Sequence, residues 1–446
     1  VMPEPDAVAL RQRVEAFEAA QGKPVHGTQR TKCSLLFPWV YDLFTSDAVL
    51  DTVEDLIGPN ILHYQCGVWI KEPEAGSYVS WHQDCTYYGM DPLELRLKNA
   101  ATEGYKTVFG ETFGPIGYVE TLEAAMNCDH YKSPVPEGQG RGVATGFWFN
   151  RGGDTTGSLT ITPDGSVTIM LGTSDVAGSR ISISMMAAEE LGIPVEKVRA
   201  NLADTSTLGN NRVTAGSRTT FSSGMVIIDS ARQCIAELVR RAAEIWDVPE
   251  DGVVFEDGQC RPAGSNVGEF DPLSVADIAA KTSVSHGAIA GHSEMHVTGA
   301  GPGFGVHLID VEVDKETGGV SVKRYTVIED AGKAIHPGQV EGQYQGGAAQ
   351  GAGWALNEAY MYDEDGRMEN AGFLDYRIPV ASDLPMIDTV IVEVPNPNHP
   401  YGLRGVGEVP VTPSLGAMAN AVSNAIGIRQ VSLPLSPPHL LAQIDS

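Results

Sequence analysis

The sequence predicts an α+β fold of mixed sheets and helices, preceded by a shorter β-rich fragment. Its 446 residues exceed what one hydrophobic core usually organises, so we expect more than one domain. A hydrophobic fraction of 42% is enough to fill such cores. From about residue 143 onward, alternating hairpin segments are interspersed with amphipathic helical segments, which is the pattern of an α+β protein.

The first part of the chain combines helices with a strand-rich stretch. Residues 6–20 and 45–58 have the composition and the end signals of helices. Residues 61–73, ILHYQCGVWIKEP, alternate and are rich in strand-forming residues. The character then changes, because Asp91 and Pro92 suit the cap and the first turn of another helix.

Two hairpins and two helices are predicted in the second part. Residues 157–171 suit a strand pair around a Pro-Asp-Gly turn, and residues 306–330 suit another around Glu-Thr-Gly-Gly. An amphipathic helix over 179–191 is expected to end at Gly192. Residues 218–246 predict one long helix, since their apolar positions recur every three or four residues.

Charge and composition exclude several classes of partner. The formal net charge of −27 argues against binding to nucleic acid or to anionic membrane surfaces. No stretch approaches the roughly 18 apolar residues of a membrane span, and the amino terminus has no signal-peptide core, so a cytoplasmic location is predicted. The six cysteines form no C-x-x-C pair, so the sequence contains neither a zinc motif nor an iron–sulfur ligand run.

A glycine- and glutamine-rich segment, VEGQYQGGAAQGAGWALNE at 340–358, is unusual for a helix. Each glycine inside a helix costs about 1 kcal/mol relative to alanine, so five of them need a reason. One interpretation is that they bare the backbone to a large polar ligand, which the amides of Gln343, Gln345 and Gln350 would also bind. The other is close packing against a neighbouring helix.

A second segment, TAGSRTTFSSG at 214–224, leads into the long helix. The start of a helix offers unpaired amide donors and a positive dipole end, and Ser217, Arg218 and Thr219 would complete a cradle for an anion. Serine and threonine at this position are also ordinary helix caps.

The third unusual segment is HPYGLRGVGEVPVTP at 399–413, which contains Glu408. Its neighbours Val406 and Val409 are apolar. Desolvation among apolar groups raises the pKa of a carboxylic acid toward values that suit a general base near neutral pH. The alternative is a surface glutamate in a turn.

Several segments, taken in order, resemble the molybdenum hydroxylases, the xanthine dehydrogenase and aldehyde oxidase family. GLRGVGEVPVTP resembles that family's active-site glutamate loop, and VEGQYQGGAAQGAGWALNE resembles its glycine-glutamine segment on the pterin. DPLELRLKNA and YMYDEDGRMENAGFLDYRIPVASDLPMIDTVIVE fit the same family. The resemblance covers residues 90–446 and identifies them as the second molybdopterin-binding half of the family's large subunit.

The resemblance implies a molybdenum-pyranopterin (molybdopterin) cofactor and hydroxylation of an aldehyde or N-heteroaromatic carbon with oxygen from water. Glu408 matches the catalytic base. Where family members often carry Gly-Gln-Gly after the first hairpin, Gly178 stands in place of the glutamine, and Ser179 or Arg180 is expected to compensate. Further cofactor contacts are implied for Gln350, Gly346, Gly347, Ala215, Gly216, Ser217 and Arg218.

The resemblance also implies partner chains. No iron–sulfur or flavin signature is found in the sequence, so FAD and [2Fe-2S] partner subunits are expected to carry the electrons away. The family builds its cofactor site from two halves, and no first half is found before residue 90, so another chain is expected to supply it. The alternative is a fusion remnant without catalytic activity.

Residues 32–89 resemble a different family, the phytanoyl-CoA dioxygenases, which use Fe(II) and 2-oxoglutarate. His82 and Asp84 match two ligands of that family's iron site. Nothing later in the chain matches the third ligand, and so short a fragment cannot close a jelly roll. We therefore expect two domains, an incomplete jelly-roll-like fragment at 1–89 and the molybdopterin-binding half at 90–446, and no working iron site.

Overall fold

The computed structural model describes residues 4–23, 37–47, 49–51, 91–107, 110–176, 178–204 and 208–445. The chain divides into two compact units, Val1–Trp81 and His82–Ser446. In the first unit, helix α1 spans Glu4–Gln21, as predicted, and α2 spans Pro38–Phe44. His82, Asp84, the expected jelly-roll strands and the proposed boundary near residue 90 lie outside the described residues, so these predictions stay predictions.

The second unit contains all the described strands and nine of the described α-helices. The helices are α3 Pro92–Lys98, α4 Tyr118–Asn127, α5 Asp129–Lys132, α6 Ser179–Leu191, α7 Thr219–Trp246, α8 Val275–His286, α9 Pro337–Leu356, α10 Val411–Ile426 and α11 Pro437–Ile444. The strands are β1 Gln139–Trp148, β2 Gly153–Ile161, β3 Val167–Leu171, β4 Val198–Leu202, β5 Val253–Glu256, β6 Gln259–Pro262, β7 Leu273–Ser274, β8 Ile289–Val297, β9 Gly303–Val313, β10 Val320–Asp330 and β11 Ile387–Val392. Short 3-10 turns lie at Val195–Lys197, Glu250–Gly252 and Gly264–Asn266.

The strands form mixed sheets, which confirms the predicted fold class. One sheet has the order β1-β9-β10-β11, with β11 parallel to β10 and the other pairs antiparallel. A second has the order β4-β3-β2-β8, with β4 parallel to β3. A small antiparallel sheet, β5-β6-β7, completes the set.

Each four-stranded sheet packs its apolar side chains against helices. Helices α6 and α7 cover the β4-β3-β2-β8 sheet, with Ile169, Ile183 and Ile227 fully buried between them. Helices α9 and α10 cover one face of the β1-β9-β10-β11 sheet, and α3 and α4 cover the other. The start of α10 packs against the middle of α9, where a Cβ at Gly347 would lie 2.4 Å from Pro410 Cγ.

The local signals of several predicted elements of the second unit are confirmed, whereas most of the helix predicted at 45–58 and all of the strand at 61–73 lie outside the described residues. Asp91 caps α3, because its Oδ1 accepts hydrogen bonds from the Leu93 and Glu94 nitrogens at 2.9 Å. Helix α6 ends at Gly192, whose φ of +58° needs a glycine. The two predicted hairpins pair β2 with β3 and β9 with β10. Within the described part of the chain, no helix is long and apolar enough to cross a membrane.

Candidate functional site

A cavity of about 270 Å³ lies in the second unit, where three helices begin. Ser179 and Thr219 are the first residues of α6 and α7, and His336 caps α9. Glu408 lines the cavity from the loop that leads into α10. The amino-terminal end of a helix carries a partial positive charge and free amide donors. The cavity therefore has an electrostatic preference for an anionic ligand.

The glutamate predicted as the base lies in this cavity and is held by one serine. The Ser217 hydroxyl donates to Glu408 Oε2 at 3.0 Å and accepts from the Glu408 backbone nitrogen at 3.0 Å. Glu408 Oε1 has no hydrogen bond to the described residues, so it is the oxygen available to a ligand. Glu408 is half-buried.

The loop before Glu408 is anchored by a buried ion pair. Arg404 Nε lies 3.1 Å from Asp330 Oδ2, and both side chains are almost fully buried. Burial raises the pKa of the Asp330 carboxyl, and this shift is partly offset by Arg404 and by backbone donors that include Gly117. The next residue, Gly405, packs so closely that a Cβ there would lie 2.2 Å from the Ser217 carbonyl oxygen. The loop therefore holds Glu408 in one place.

Arg218 was expected to bind an anion. Its charged group instead holds its own loop in place. Its buried guanidinium donates to the Gly152, Gly153, Asp154 and Arg212 carbonyls and to the Thr155 hydroxyl. Desolvation lowers the pKa of Arg218. Among its neighbours, Ala215 and Ser217 line the cavity, while a Cβ at Gly216 would lie 2.8 Å from the Arg151 side chain. The loop thus leaves hydroxyl and amide groups to face a ligand.

The glycine-glutamine segment forms most of α9, where one part lines the cavity and another packs closely against α10. Gln343 lines the cavity, and a Cβ at Gly407 would lie 3.2 Å from its Oε1. A Cβ at Gly347 would lie 2.4 Å from Pro410 Cγ, so this glycine allows α9 and α10 to approach closely. The structure does not bring Gly346, Gly347 and Gln350 into the cavity lining with Glu408, and both Gly346 and Gln350 are exposed.

Gly178 lies beside a glutamine that the sequence interpretation missed. It precedes α6 with a φ of +73°, and a Cβ there would lie 2.3 Å from Gln339 Oε1. Gln339 lines the cavity from the first turn of α9, whose His336 cap and Pro337 were the available signal. Ser179, named as a compensating residue, lines the cavity too, whereas Arg180 is paired with Asp175 at 2.9 Å.

Comparison with known proteins assigns the family. Residues 127–385 match the family model described as "Molybdopterin cofactor-binding domain". The chain is 28% identical over 379 residues to the xanthine dehydrogenase molybdenum-binding subunit of Escherichia coli O157:H7, covering 80% of this chain and 50% of that protein. It is 30% identical over 382 residues to the carbon monoxide dehydrogenase large chain of Hydrogenophaga pseudoflava, covering 77% and 47%.

Solved structures show the same fold. The reconstituted CO dehydrogenase from Oligotropha carboxidovorans superposes with a TM-score of 0.72 at 23% identity, covering 81% of this chain and 50% of that chain. The chain thus spans about half the length of the relatives it matches. It therefore belongs to the molybdopterin cofactor-binding domain family and has the fold of part of a molybdenum hydroxylase large subunit.

Proposed function

We propose that this chain is the cofactor-holding part of a molybdenum-dependent hydroxylase that oxidises an aldehyde or an N-heteroaromatic carbon with oxygen from water. The observation that carries the proposal is the Ser217–Glu408 pair, which faces a cavity surrounded by three helix starts. A carboxylate aimed into an anion-preferring site suits proton transfer next to an anionic cofactor.

The residues of the cavity fit a molybdopterin cofactor. The buried Ser179 hydroxyl lines the cavity and has no hydrogen-bond partner among the described residues, as expected of a group that binds a ligand. The Gln339 and Gln343 amides and the helix starts add donors suited to phosphate and pterin groups. When bound, the cofactor supplies the two-electron oxidation that the side chains cannot perform.

The chain's own part in the reaction is the handling of one proton. Ser217 donates a hydrogen bond to Glu408 Oε2 and leaves Oε1 to accept a proton from the water-derived oxygen. Because Ser217 also accepts a hydrogen bond from the Glu408 backbone nitrogen, the same side chain fixes the main chain from which the carboxylate extends. Ala215 and Gly216 set the path of the loop that carries Ser217, and Arg218 fixes that loop to the β2 strand.

Other polypeptides complete this site in our proposal. The chain spans about half the length of its relatives, which are themselves named as subunits or chains. Within residues 357–386, five large apolar side chains are more than 60% exposed, namely Tyr360, Phe373, Leu374, Ile378 and Met386. Such an apolar stretch on a surface marks an interaction site. We propose that a chain supplying the other cofactor-binding half covers it, and that FAD and [2Fe-2S] subunits receive the electrons.

We further propose that residues 1–89 are a fragment of separate ancestry and that His82 and Asp84 hold no iron. The absence of a matching third ligand in the sequence argues against an iron site at His82 and Asp84 and against 2-oxoglutarate dioxygenase activity.

Elemental analysis tests the proposal. The full chain is expressed in a host that makes the molybdenum cofactor, purified with and without co-expressed partner subunits, and assayed for molybdenum and iron. We expect molybdenum approaching one atom per chain and, in the chain purified without partner subunits, no iron. A chain that contains no molybdenum under either condition would be the fusion remnant without catalytic activity.

A further inference from the structure

The connection between β1 and β2, residues 149–152, contacts two loops that line the cavity. We call them the serine loop, residues 214–218, and the glutamate loop, residues 403–408. They meet through the two hydrogen bonds between Ser217 and Glu408. Both bonds are 3.0 Å long, so they form only when the two loops keep a fixed separation.

Two neighbouring residues of this connection bond to the two loops. Asn150 Nδ2 donates to the Gly405 carbonyl of the glutamate loop at 3.0 Å. The Arg151 backbone nitrogen donates to the Gly216 carbonyl of the serine loop at 2.8 Å. The accepting carbonyls lie three residues before the glutamate and one residue before the serine of the pair. One short segment therefore fixes both loops close to the groups that must meet.

The same asparagine amide also binds the connection between the two four-stranded sheets. Asn150 Nδ2 donates to the Gly301 carbonyl at 3.0 Å, in the segment that joins β8 of one sheet to β9 of the other. Asn396 holds that segment as well, through hydrogen bonds to the Gly299 and Ala300 carbonyls at 3.0 and 2.9 Å. Asn150 therefore ties the glutamate loop to a segment that is itself fixed in place.

The backbone at position 150 indicates that the side chain matters there. Its φ of +45° lies in the left-handed region, which glycine adopts at lower cost than any residue with a Cβ. Over the residues that the structure describes, glycine takes 20 positions of positive φ and other residues take 5, among them Ser217 with a φ of +56°. A residue other than glycine at such an angle calls for a role of its side chain.

Burial makes the Asn150 amide effective as a clamp. The residue is only 6% exposed, so water competes little for its hydrogen bonds. Its Oδ1 has no partner in the described part of the chain, so the side chain acts through its nitrogen. That nitrogen carries two hydrogens and donates to two carbonyls, so no hydrogen is left for a ligand.

We propose that Asn150 is a positioning residue for Glu408. Its amide holds the glutamate loop at the separation from the serine loop at which Ser217 bonds to both the Glu408 carboxylate and its main chain. In this proposal the amide touches neither substrate nor cofactor. The effect on turnover rests on the proposed function, whereas the effect on the position of the glutamate loop does not.

Two substitutions of Asn150 and one matched control test this role. Asn150→Asp keeps the size of the side chain and tolerates the left-handed backbone, but it has no N–H to donate. Asn150→Gly adopts the backbone angle freely and removes the side chain. Asn420→Asp is the control, because the Asn420 amide donates from α10 to the Val143 carbonyl of β1 at 3.0 Å, outside both loops.

Hydrogen–deuterium exchange of the cofactor-free full chain reports on the glutamate loop independently of turnover. The Glu408 backbone amide is protected by its bond to Ser217. We expect the peptide that contains Glu408 to exchange roughly tenfold faster in both Asn150 variants than in the wild type, and at the wild-type rate in Asn420→Asp. Unchanged exchange in both Asn150 variants overturns the positioning role. An equal rise along the whole chain overturns it too, because it marks a general loss of stability.

Steady-state kinetics of the molybdenum-loaded enzyme, with benzaldehyde as the substrate, test the consequence for proton transfer. We expect kcat of both Asn150 variants to fall roughly tenfold at unchanged KM and molybdenum content, because the base is displaced while the ligands still bind. An unchanged kcat despite faster exchange would overturn the role in the reaction. A wild type that binds no molybdenum would overturn the proposed function, and exchange alone would then decide the role of Asn150. If Asn150→Asp does not fold, Asn150→Gly decides.

Discussion

The Ser217 hydroxyl lies 3.0 Å from both Glu408 Oε2 and the Glu408 backbone nitrogen, so one side chain orients a carboxylate and its own main chain. The two residues are far apart in sequence and belong to loops that precede different helices, α7 and α10. The position of Glu408 therefore depends on both loops at once.

Replacing Glu408 by glutamine should abolish turnover and spare the cofactor. Glutamine keeps the size of the side chain and can still bond to Ser217, but it cannot accept a proton, so kcat should fall by a factor on the order of 10² to 10⁴. Turnover and molybdenum content are measured on the same preparation. A variant that retains wild-type kcat would rule out Glu408 as the base.

Ser217→Ala tests whether orientation of the carboxylate matters. Loss of this hydroxyl should lower kcat by roughly tenfold with little change in KM, because one hydrogen bond to a charged group is lost. Steady-state kinetics on fully loaded enzyme make the measurement. An unchanged kcat would mean that the loop alone orients Glu408.

Two glycine-to-alanine substitutions in α9 should change the free energy of unfolding in opposite directions. Gly347→Ala puts a methyl 2.4 Å from Pro410 Cγ and should destabilise the fold by about 1 to 3 kcal/mol. Gly342 meets nothing within 4 Å, so Gly342→Ala should stabilise it by about 0.5 to 1 kcal/mol. Urea unfolding of both variants measures this, and equal effects would contradict the packing interpretation.

A buried carboxyl on β10 should make stability depend on pH. Glu329 is fully buried, neither of its oxygens has a partner in the described chain, and burial raises its pKa well above the usual value. The unfolded carboxyl ionises near pH 4.3 while the folded one stays protonated. The free energy of unfolding should therefore fall by about 1.4 kcal/mol per pH unit above that value, until the folded group ionises too.

Glu329→Gln isolates this contribution, because the amide cannot ionise. The variant should be more stable than the wild type at pH 8, and the difference should shrink toward pH 5. Unfolding curves at both values provide the comparison. A stability difference that does not change with pH would mean that Glu329 titrates normally in the folded chain.

The exposed apolar stretch at 357–386 should matter for assembly and not for folding. Phe373 and Leu374 are almost fully exposed, so replacing both by serine should leave the Tm unchanged and weaken co-purification with the chain that supplies the other half. Val284→Ser, at an equally exposed position on α8, is the matched control. Equal recovery of the complex from both variants would place the interface elsewhere.

Sequence alone predicted the elements whose signals are local. The caps of α3 and α6, the Pro-Asp-Gly hairpin and the long α7 all follow from residues within a few positions of each other. The parallel pairing of β11 with β10 was not predicted, because it joins segments separated by the whole of α9. Local chemistry determines elements, and their pairing depends on contacts distant in sequence.

The candidate site was predicted in part for the same reason. Ala215, Ser217 and Glu408 come together in the cavity, as the resemblance implied. Gln350 does not, because glutamines along one helix differ in their distance from the cavity, and only those near the start of α9 reach it. Gln339 was missed because its relation to Gly178 exists only once α6 and α9 are packed.

The convergence of three helix starts has a consequence for a protein of net charge −27. Part of the cavity's attraction for an anion comes from peptide groups, which do not titrate, so this part persists across pH and adds to that of Arg218, Lys333 and Arg404 in the lining. This attraction arises only when helices from distant parts of the sequence have docked. A partly folded chain would thus repel the ligand that the finished one accepts.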